Sequence, residues 1–213
     1  MRPSPADDVR KMYEDTADSY AEMMDADIGL PVYADVLERL RDRIANTPGA
    51  VVDTACGSGH MLSLYHERYD QKHPLLGVDL SPRMVSIAEG KLGSSARVAV
   101  GDMRDLSTVG SGSSSAVLNF FALHHVDVEG ARLAFREWHR ILAPGGQLVV
   151  ATWEGTGAID YGNESDIVAL RYTSNELATW AQEAGFSITR CVVEPVEEFP
   201  MDAVYLEGVK EAT

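Results

Sequence analysis

The apolar positions of this chain follow two rhythms, one helical and one strand-like. In DVRKMYEDTADSYAEMM (8–24), Val9, Met12, Tyr13, Ala17, Tyr20 and Met24 recur at three- and four-residue steps, which predicts an amphipathic helix. Val36, Leu37, Leu40 and Ile44 repeat that spacing over 31–45, and Asn46-Thr47-Pro48-Gly49 ends the second helix. From residue 50 onward, short apolar runs alternate with helical patterns. The runs 50–54, 74–80, 96–102, 115–123 and 147–153 read as strands. The stretch 60–69, the stretch beginning at Pro82 and the stretch from Asp127 to Leu142 read as helices. Ser81-Pro82 supplies an N-cap and a proline at the first helical position, and Asp127 can cap the next helix. Strands that lack polar alternation are buried on both faces, so this order predicts an α/β fold with a doubly wound, mostly parallel sheet.

After Trp153 the alternation breaks. A loop containing Gly155, Gly157 and Gly162 leads to a helix that opens at Thr173-Ser174-Asn175-Glu176 and closes at Gly185. The runs 186–194 and 203–210 are joined by a short link and predict an antiparallel C-terminal hairpin, which brings the sheet to seven strands. Residues 1–48 are expected to form a helical lid segment, and 49–213 one globular unit.

Composition narrows the setting. A chain of 213 residues with 45% hydrophobic and 24% charged content can bury a core without staples. Cys56 and Cys191 make no disulfide framework, which suits a reducing cytoplasm. The N-terminus has no apolar signal region, and no apolar run approaches the length of a membrane span. The net charge is −15, with twelve acidic and three basic residues from Glu154 to Thr213. Such a surface repels phosphate backbones and disfavours nucleic acid as a partner.

The chemistry lies at the predicted strand ends, since ligands of doubly wound sheets sit outside the carboxyl ends of the strands. The first turn, in VVDTACGSGH (51–60), allows close backbone approach at Gly57 and Gly59 and opens a helix N-terminus. It is neither a phosphate loop nor G-x-G-x-x-G, because Ala55 and Leu62 stand where glycines would be needed. Asp79, in GVDL (77–80), stands where a carboxylate can accept both hydroxyls of a ribose, and its charge opposes a 2′-phosphate. Asp102 and Met103 offer an acceptor for an exocyclic amine and a flat thioether for a purine face.

In order and spacing, VVDTACGSGH, LLGVDLSPRM, VAVGDM, NFFALHHV and ILAPGGQLVVATW resemble the motifs of class I S-adenosylmethionine-dependent methyltransferases. MYEDTADSY resembles the N-terminal helix of that family, with Glu14 where aspartate is usual. Ala55 replaces the first glycine of motif I, a change the fold absorbs if φ at that residue is negative. The resemblance implies a Rossmann-like methyltransferase fold. It implies that S-adenosylmethionine is held by Asp53, Ala55, Gly57, Gly59, Asp79, Leu80, Asp102, Met103 and the backbone near Asn119. Tyr13 or Tyr20 would close over the methionine part as a lid.

A sulfonium methyl is already electrophilic, so the protein has mainly to orient a nucleophile and exclude water. No metal is called for, and no cluster with metal-ligand spacing is visible. His124 and His125 are candidate general bases, although both cannot point inward if the strand stays extended. Cys56 has no base beside it and reads as a small buried filler. Asn119-Phe120-Phe121-Ala122 departs from the Asn/Asp-Pro-Pro-Tyr of enzymes that methylate bases. A small-molecule acceptor is therefore expected, methylated on O or N and reached past Phe120, Phe121, Trp153, Tyr161 and Tyr172, with Trp153 and Phe121 facing the cavity. If the acidic C-terminal third edged the mouth, it would steer a cationic acceptor. The protein is expected to be a monomer or homodimer. Two other readings are a non-catalytic S-adenosylmethionine-binding protein and a nicotinamide dehydrogenase; the glycine spacing disfavours the second.

Overall fold

The computed structural model describes residues 2–27, 31–159, 161, 166–196 and 201–212, and hydrogen bonding gathers seven strands into one sheet. They are β1 (Ala50–Asp53), β2 (Leu75–Asp79), β3 (Ala96–Val100), β4 (Ser114–Phe120), β5 (Leu142–Trp153), β6 (Phe186–Pro195) and β7 (Asp202–Lys210). Their order across the sheet is β3-β2-β1-β4-β5-β7-β6. The first five pair in parallel, and β7 lies antiparallel between β5 and β6. The chain winds outward from β1 to β3, then crosses to the other side of β1 with β4. The carboxyl ends of β1 and β4 therefore mark the point where strand order reverses.

Six α-helices accompany the sheet: α1 (Ala6–Asp27), α2 (Pro31–Ile44), α3 (His60–Arg68), α4 (Pro82–Leu92), α5 (Val128–Ile141) and α6 (Ser174–Glu183). Successive strand residues point to opposite faces, and the two cores divide accordingly. Val51, Ala116, Leu118 and Val149 pack with Leu37, Leu40, Ile44, Leu62 and Ala88 of α2, α3 and α4. Val52, Val117, Leu148 and Val150 pack with Phe135, Trp138, Leu177 and Trp180 of α5 and α6. Strands covered on both sides cannot alternate apolar with polar, which is why these segments read as continuous apolar runs. Buried Glu207 of β7 accepts from Arg39 and Arg43 and fastens α2 to the antiparallel edge.

The caps fall where the sequence puts them. Ser81 Oγ accepts the Met84 N–H, and Asp127 accepts the Gly130 N–H. Thr173 and Glu176 close a reciprocal capping box. Two strand limits differ most from the expectation: β5 begins at Leu142, before the expected residue 147, and β4 ends short of the expected residue 123. β4 stops at Phe120, Phe121 takes φ +50°, and Leu123–His125 form a 3-10 turn. The bend is held by the Phe121 N–H, which donates to Ala151 O of β5 at 2.8 Å. Part of the link between β6 and β7 (197–200) and Gly162 lie outside the described residues.

Candidate active site

The carboxyl ends of β1 to β4 converge beneath α1 on a cavity of about 250 Å³. Of the residues singled out in the sequence, Tyr13, Tyr20, Ala55, Gly57, Asp79, Leu80, Asp102, Met103 and His125 line it. Asp53, Gly59, Asn119 and His124 do not line it; each is buried just behind the wall.

The turn after β1 is built around Asp79. Gly57 N–H donates to Asp79 Oδ2 at 2.8 Å, and Ser81 N–H donates to Oδ1 at 2.9 Å. Burial pushes the Asp79 carboxyl up, while these two N–H groups pull it the other way. Each oxygen keeps a lone pair, so the carboxylate can still accept from two hydroxyls, which fits a ribose. The Gly57 N–H is thereby already engaged by Asp79. Gly57 has φ +50°, a conformation that favours glycine, and a Cβ there would make an ordinary contact with Tyr20 Cε1 at 3.7 Å. Gly59 serves packing instead. A Cβ there would sit 3.0 Å from Leu92 Cδ1 and 3.1 Å from Ala88 Cβ, so its small size lets the start of α3 approach α4. Ala55 is absorbed as expected, since Phe121 is the sole non-glycine residue with positive φ among the described residues. Asp53 is 2% exposed and accepts the Ala55 N–H at 3.2 Å; burial raises its carboxyl to about 7. Cys56 fills the space beside Gly77, and burial lifts its thiol well above the ordinary value.

At the end of β3, Asp102 is held by a neighbour that the sequence reading passed over. Arg104 donates to it from its backbone N–H (2.8 Å), from Nε (2.9 and 3.0 Å) and from Nη2 (2.5 Å). Burial alone would raise the Asp102 carboxyl, but the Arg104 contacts together hold it below the usual carboxylate range. Met103 Sδ lies 3.4 Å from Asn119 Nδ2, which also donates to Thr54 Oγ1 at 3.1 Å. Asn119 Oδ1 is buried and finds no hydrogen-bond partner among the described residues.

The end of β4 has a different character. Phe120, Phe121 and Ala122 line the cavity, and Trp153 packs behind Phe121 with ring centroids 4.8 Å apart. Trp153 and Tyr161 are not on the wall, and Tyr172 is a core residue whose hydroxyl donates to Val126 O. The 3-10 turn buries both histidines, an outcome that an extended strand would forbid. Their rings lie 4.1 Å apart, but only His125 reaches the cavity. His125 Nε2 lies 2.9 Å from Tyr13 Oη, and burial lowers the imidazole to about 4. The ring is therefore neutral near pH 7. His124 is pushed down still more strongly, by burial and then by the His125 charge.

α1 and the residues before it cover one side of the cavity. Tyr13 and Tyr20 face inward with ring centroids 5.6 Å apart, and Arg2, Ser4, Val9 and Arg10 also line the cavity. The segment is fastened at Ser4, whose N–H donates to Val168 O and whose Oγ accepts the Val168 N–H, both at 2.9 Å. Arg10 lies three residues before Tyr13 on the same helical face, a spacing that would have identified it. The strap at residues 2–5 has no sequence signal of its own. Among the described residues, none of the acidic C-terminal third lines the cavity. The reason is topological, because the β6–β7 hairpin lies at the far edge of the sheet. No group of three metal-binding side chains occurs among the described residues, and no helix there is long and apolar enough to cross a membrane.

The comparisons with known proteins agree with this geometry. Residues 51–146 match the family model of a methyltransferase domain. The chain is 30% identical over 147 residues to the probable tRNA methyltransferase 9B of Mus musculus, covering 68% of this chain and 29% of that protein. It is 25% identical over 183 residues to the dTDP-4-amino-2,3,4,6-tetradeoxy-D-glucose N,N-dimethyltransferase of Saccharopolyspora spinosa, covering 81% of this chain and 72% of that protein. Its fold is similar to the Burkholderia thailandensis 1,6-didemethyltoxoflavin-N1-methyltransferase, solved with 1,6-didemethyltoxoflavin and S-adenosylhomocysteine. The TM-score is 0.73 at 20% identity, covering 98% of this chain and 91% of that one. Residues 51–146 carry a methyltransferase domain, and the arrangement of strand ends around it is that of the class I S-adenosylmethionine-dependent methyltransferase fold.

Proposed function

We propose that the protein moves a methyl group from S-adenosylmethionine to an O or N atom of a small-molecule acceptor by in-line displacement. One observation carries the reading. A single cavity wall runs from Gly57, Asp79 and Asp102 at the ends of β1 to β3 to Phe120, Phe121 and His125 after β4. When bound, S-adenosylmethionine supplies an electrophilic methyl on a sulfonium. The chain's own residues then have to hold, orient and enclose. Asp79 would hold the ribose hydroxyls, Ala55 and Gly57 the amino-acid end, and Asp102, Met103 and Leu80 the adenine. Asp53, Gly59 and Asn119 would support that wall from behind. Tyr13 and Tyr20 would keep water out above it.

The acceptor would lie against Phe120, Phe121 and His125. A neutral imidazole with its pKa near 4 is a weak proton acceptor. It suits a nucleophile that gives up its proton readily, such as a free amine or an acidic hydroxyl, better than a simple alcohol. His124, behind the wall, would act only through its neighbour. A lid fastened at Ser4 and Tyr13 leaves little room for a macromolecule, which favours a small acceptor.

Calorimetry with S-adenosylhomocysteine, followed by S-adenosylhomocysteine release with a panel of amines, phenols and thiols and with bulk tRNA, tests this. Micromolar binding and release with small amines or phenols are expected. Binding with no release on any acceptor would instead support a non-catalytic cofactor-binding protein. Release with tRNA alone would overturn the small-molecule reading.

A further inference from the structure

On the cavity wall after β3, a guanidinium stands beside the carboxylate to which the purine is assigned. Asp102 Oδ1 accepts from the Arg104 backbone N–H and from Nε, and Oδ2 accepts from Nε and Nη2. Arg104 is itself fixed. Its stem passes Gly130, where a Cβ would lie 3.3 Å from Arg104 Cδ, and the Asp127 charge adds to its stabilisation. Both side chains are about one-third exposed or less, and both line the cavity. Among the described residues nothing accepts from Arg104 Nη1. The wall therefore presents a carboxylate that can only accept, directly beside guanidinium N–H groups that can only donate.

We propose that Arg104 sets the purine preference of this site, by locking Asp102 as an acceptor and placing its own remaining donors next to it. An adenine edge carries an amine donor beside a ring-nitrogen acceptor, which complements that order. A 6-oxo purine carries a carbonyl acceptor beside a ring N–H donor, which opposes it at both positions. A partly buried polar group left unpaired costs more than a good bond gains, so the mismatch is penalised. Arg104 acts partly through Asp102 and is in that sense a positioning residue. The inference rests on the cofactor reading above.

The test is calorimetric binding of S-adenosylhomocysteine and of S-inosylhomocysteine, in which the purine amine is replaced by a carbonyl. The native protein is expected to favour the amine form by roughly 10- to 100-fold. Arg104→Met should lower that ratio to about 3-fold or less, because Asp102 is freed to turn or to take up a proton. Arg104→Lys keeps a charge but no fork, and should give an intermediate ratio. Asp102→Asn, which keeps the shape and adds a donor, should lower the ratio as well. A merely structural Arg104 would weaken both ligands alike, so an unchanged ratio in Arg104→Met overturns the proposal. Should Arg104→Met fail to fold, unchanged ratios in Arg104→Lys and Asp102→Asn overturn it equally. A native protein that binds S-adenosylhomocysteine without discrimination overturns this inference alone, and one that binds neither ligand overturns the cofactor reading with it.

Discussion

The two halves of the cavity wall are built in opposite ways. At the ends of β1, β2 and β3 the same local device recurs: Asp53, Asp79 and Asp102 each accept the backbone N–H two residues on, from Ala55, Ser81 and Arg104. Each carboxylate fixes the turn that follows its own strand, so this half is rigid before any ligand arrives. After β4 no such device exists. The wall there depends on the Tyr13–His125 contact across 112 residues and on Phe121 in a left-handed conformation that costs roughly 1–2 kcal/mol. Buried polar atoms with no partner among the described residues also gather here, namely Asn119 Oδ1, His124 Nδ1 and His125 Nδ1. The contrast suggests a division of labour, with a prebuilt cofactor half and an acceptor half that the rest of the chain assembles and can alter.

The largest effect should come from Asp79→Ala. It removes the proposed ribose acceptor and also strands the N–H groups of Gly57 and Ser81, each orphan costing about 1–3 kcal/mol. Affinity for S-adenosylhomocysteine in calorimetry should fall by about 100-fold or more. An affinity close to native would show that the local turns do not build the cofactor half.

Asp53 tests the same device away from the cavity. Burial raises its carboxyl to about 7, so in the native state it keeps a proton that the unfolded chain, near 3.8, releases. Between about pH 4 and 7 the native state binds more protons at this site, and its contribution to stability falls as pH rises. The buried His60 and His125, both lowered to about 4 from 6.5, act oppositely, since their contribution grows over about pH 4 to 6.5. Asp53→Asn keeps an acceptor for the Ala55 N–H and cannot ionise. It should therefore gain about 1–3 kcal/mol at pH 8 relative to its effect at pH 4, measured by urea unfolding. An unchanged pH slope would mean that Asp53 ionises in the folded protein as it does in the unfolded chain.

The two glycines of the first turn should separate packing from binding. Gly59→Ala meets Leu92 and Ala88 at φ +81°, and should cost about 2 kcal/mol in stability while leaving ligand affinity nearly native. Gly57→Ala has room but aims its methyl at Tyr20, so about 1 kcal/mol of stability should go with a larger loss of affinity. Equal effects on both measurements would erase the distinction.

Legibility in the sequence follows the same division. The individual strands, the caps at Ser81, Asp127 and Thr173, and the strand-end carboxylates were readable, because each is written in a short local run of residues. Gly59 looked like a ligand contact because spacing cannot tell close approach to a helix from close approach to a cofactor. Arg104 went unread because a guanidinium beside a carboxylate is usually a surface pair, and only the fold puts this one on a cavity wall. The bend at Phe121, which brings His125 inward and keeps Trp153 behind, depends on the Ala151 carbonyl of β5. No local pattern encodes that partner.

The smallest effect, and the most direct probe of the assembled half, is Tyr13→Phe. The ring and its edge-on contacts with Tyr20 and His125 are kept, and only the hydroxyl 2.9 Å from His125 Nε2 is lost. One such bond is worth about 0.5–1.5 kcal/mol, so dissociation of S-adenosylhomocysteine in stopped-flow should quicken by roughly 2- to 10-fold. Two ion pairs link α1 to α4, Asp18–Arg83 and Asp25–Lys91; both are largely exposed at the acidic partner and contribute little. If the tyrosine–histidine contact holds the lid, Asp18→Ala should leave that rate nearly native where Tyr13→Phe raises it. The reverse order of effects would place the latch on the α4 side of the cavity, and the acceptor half would then depend on the same elements as the cofactor half.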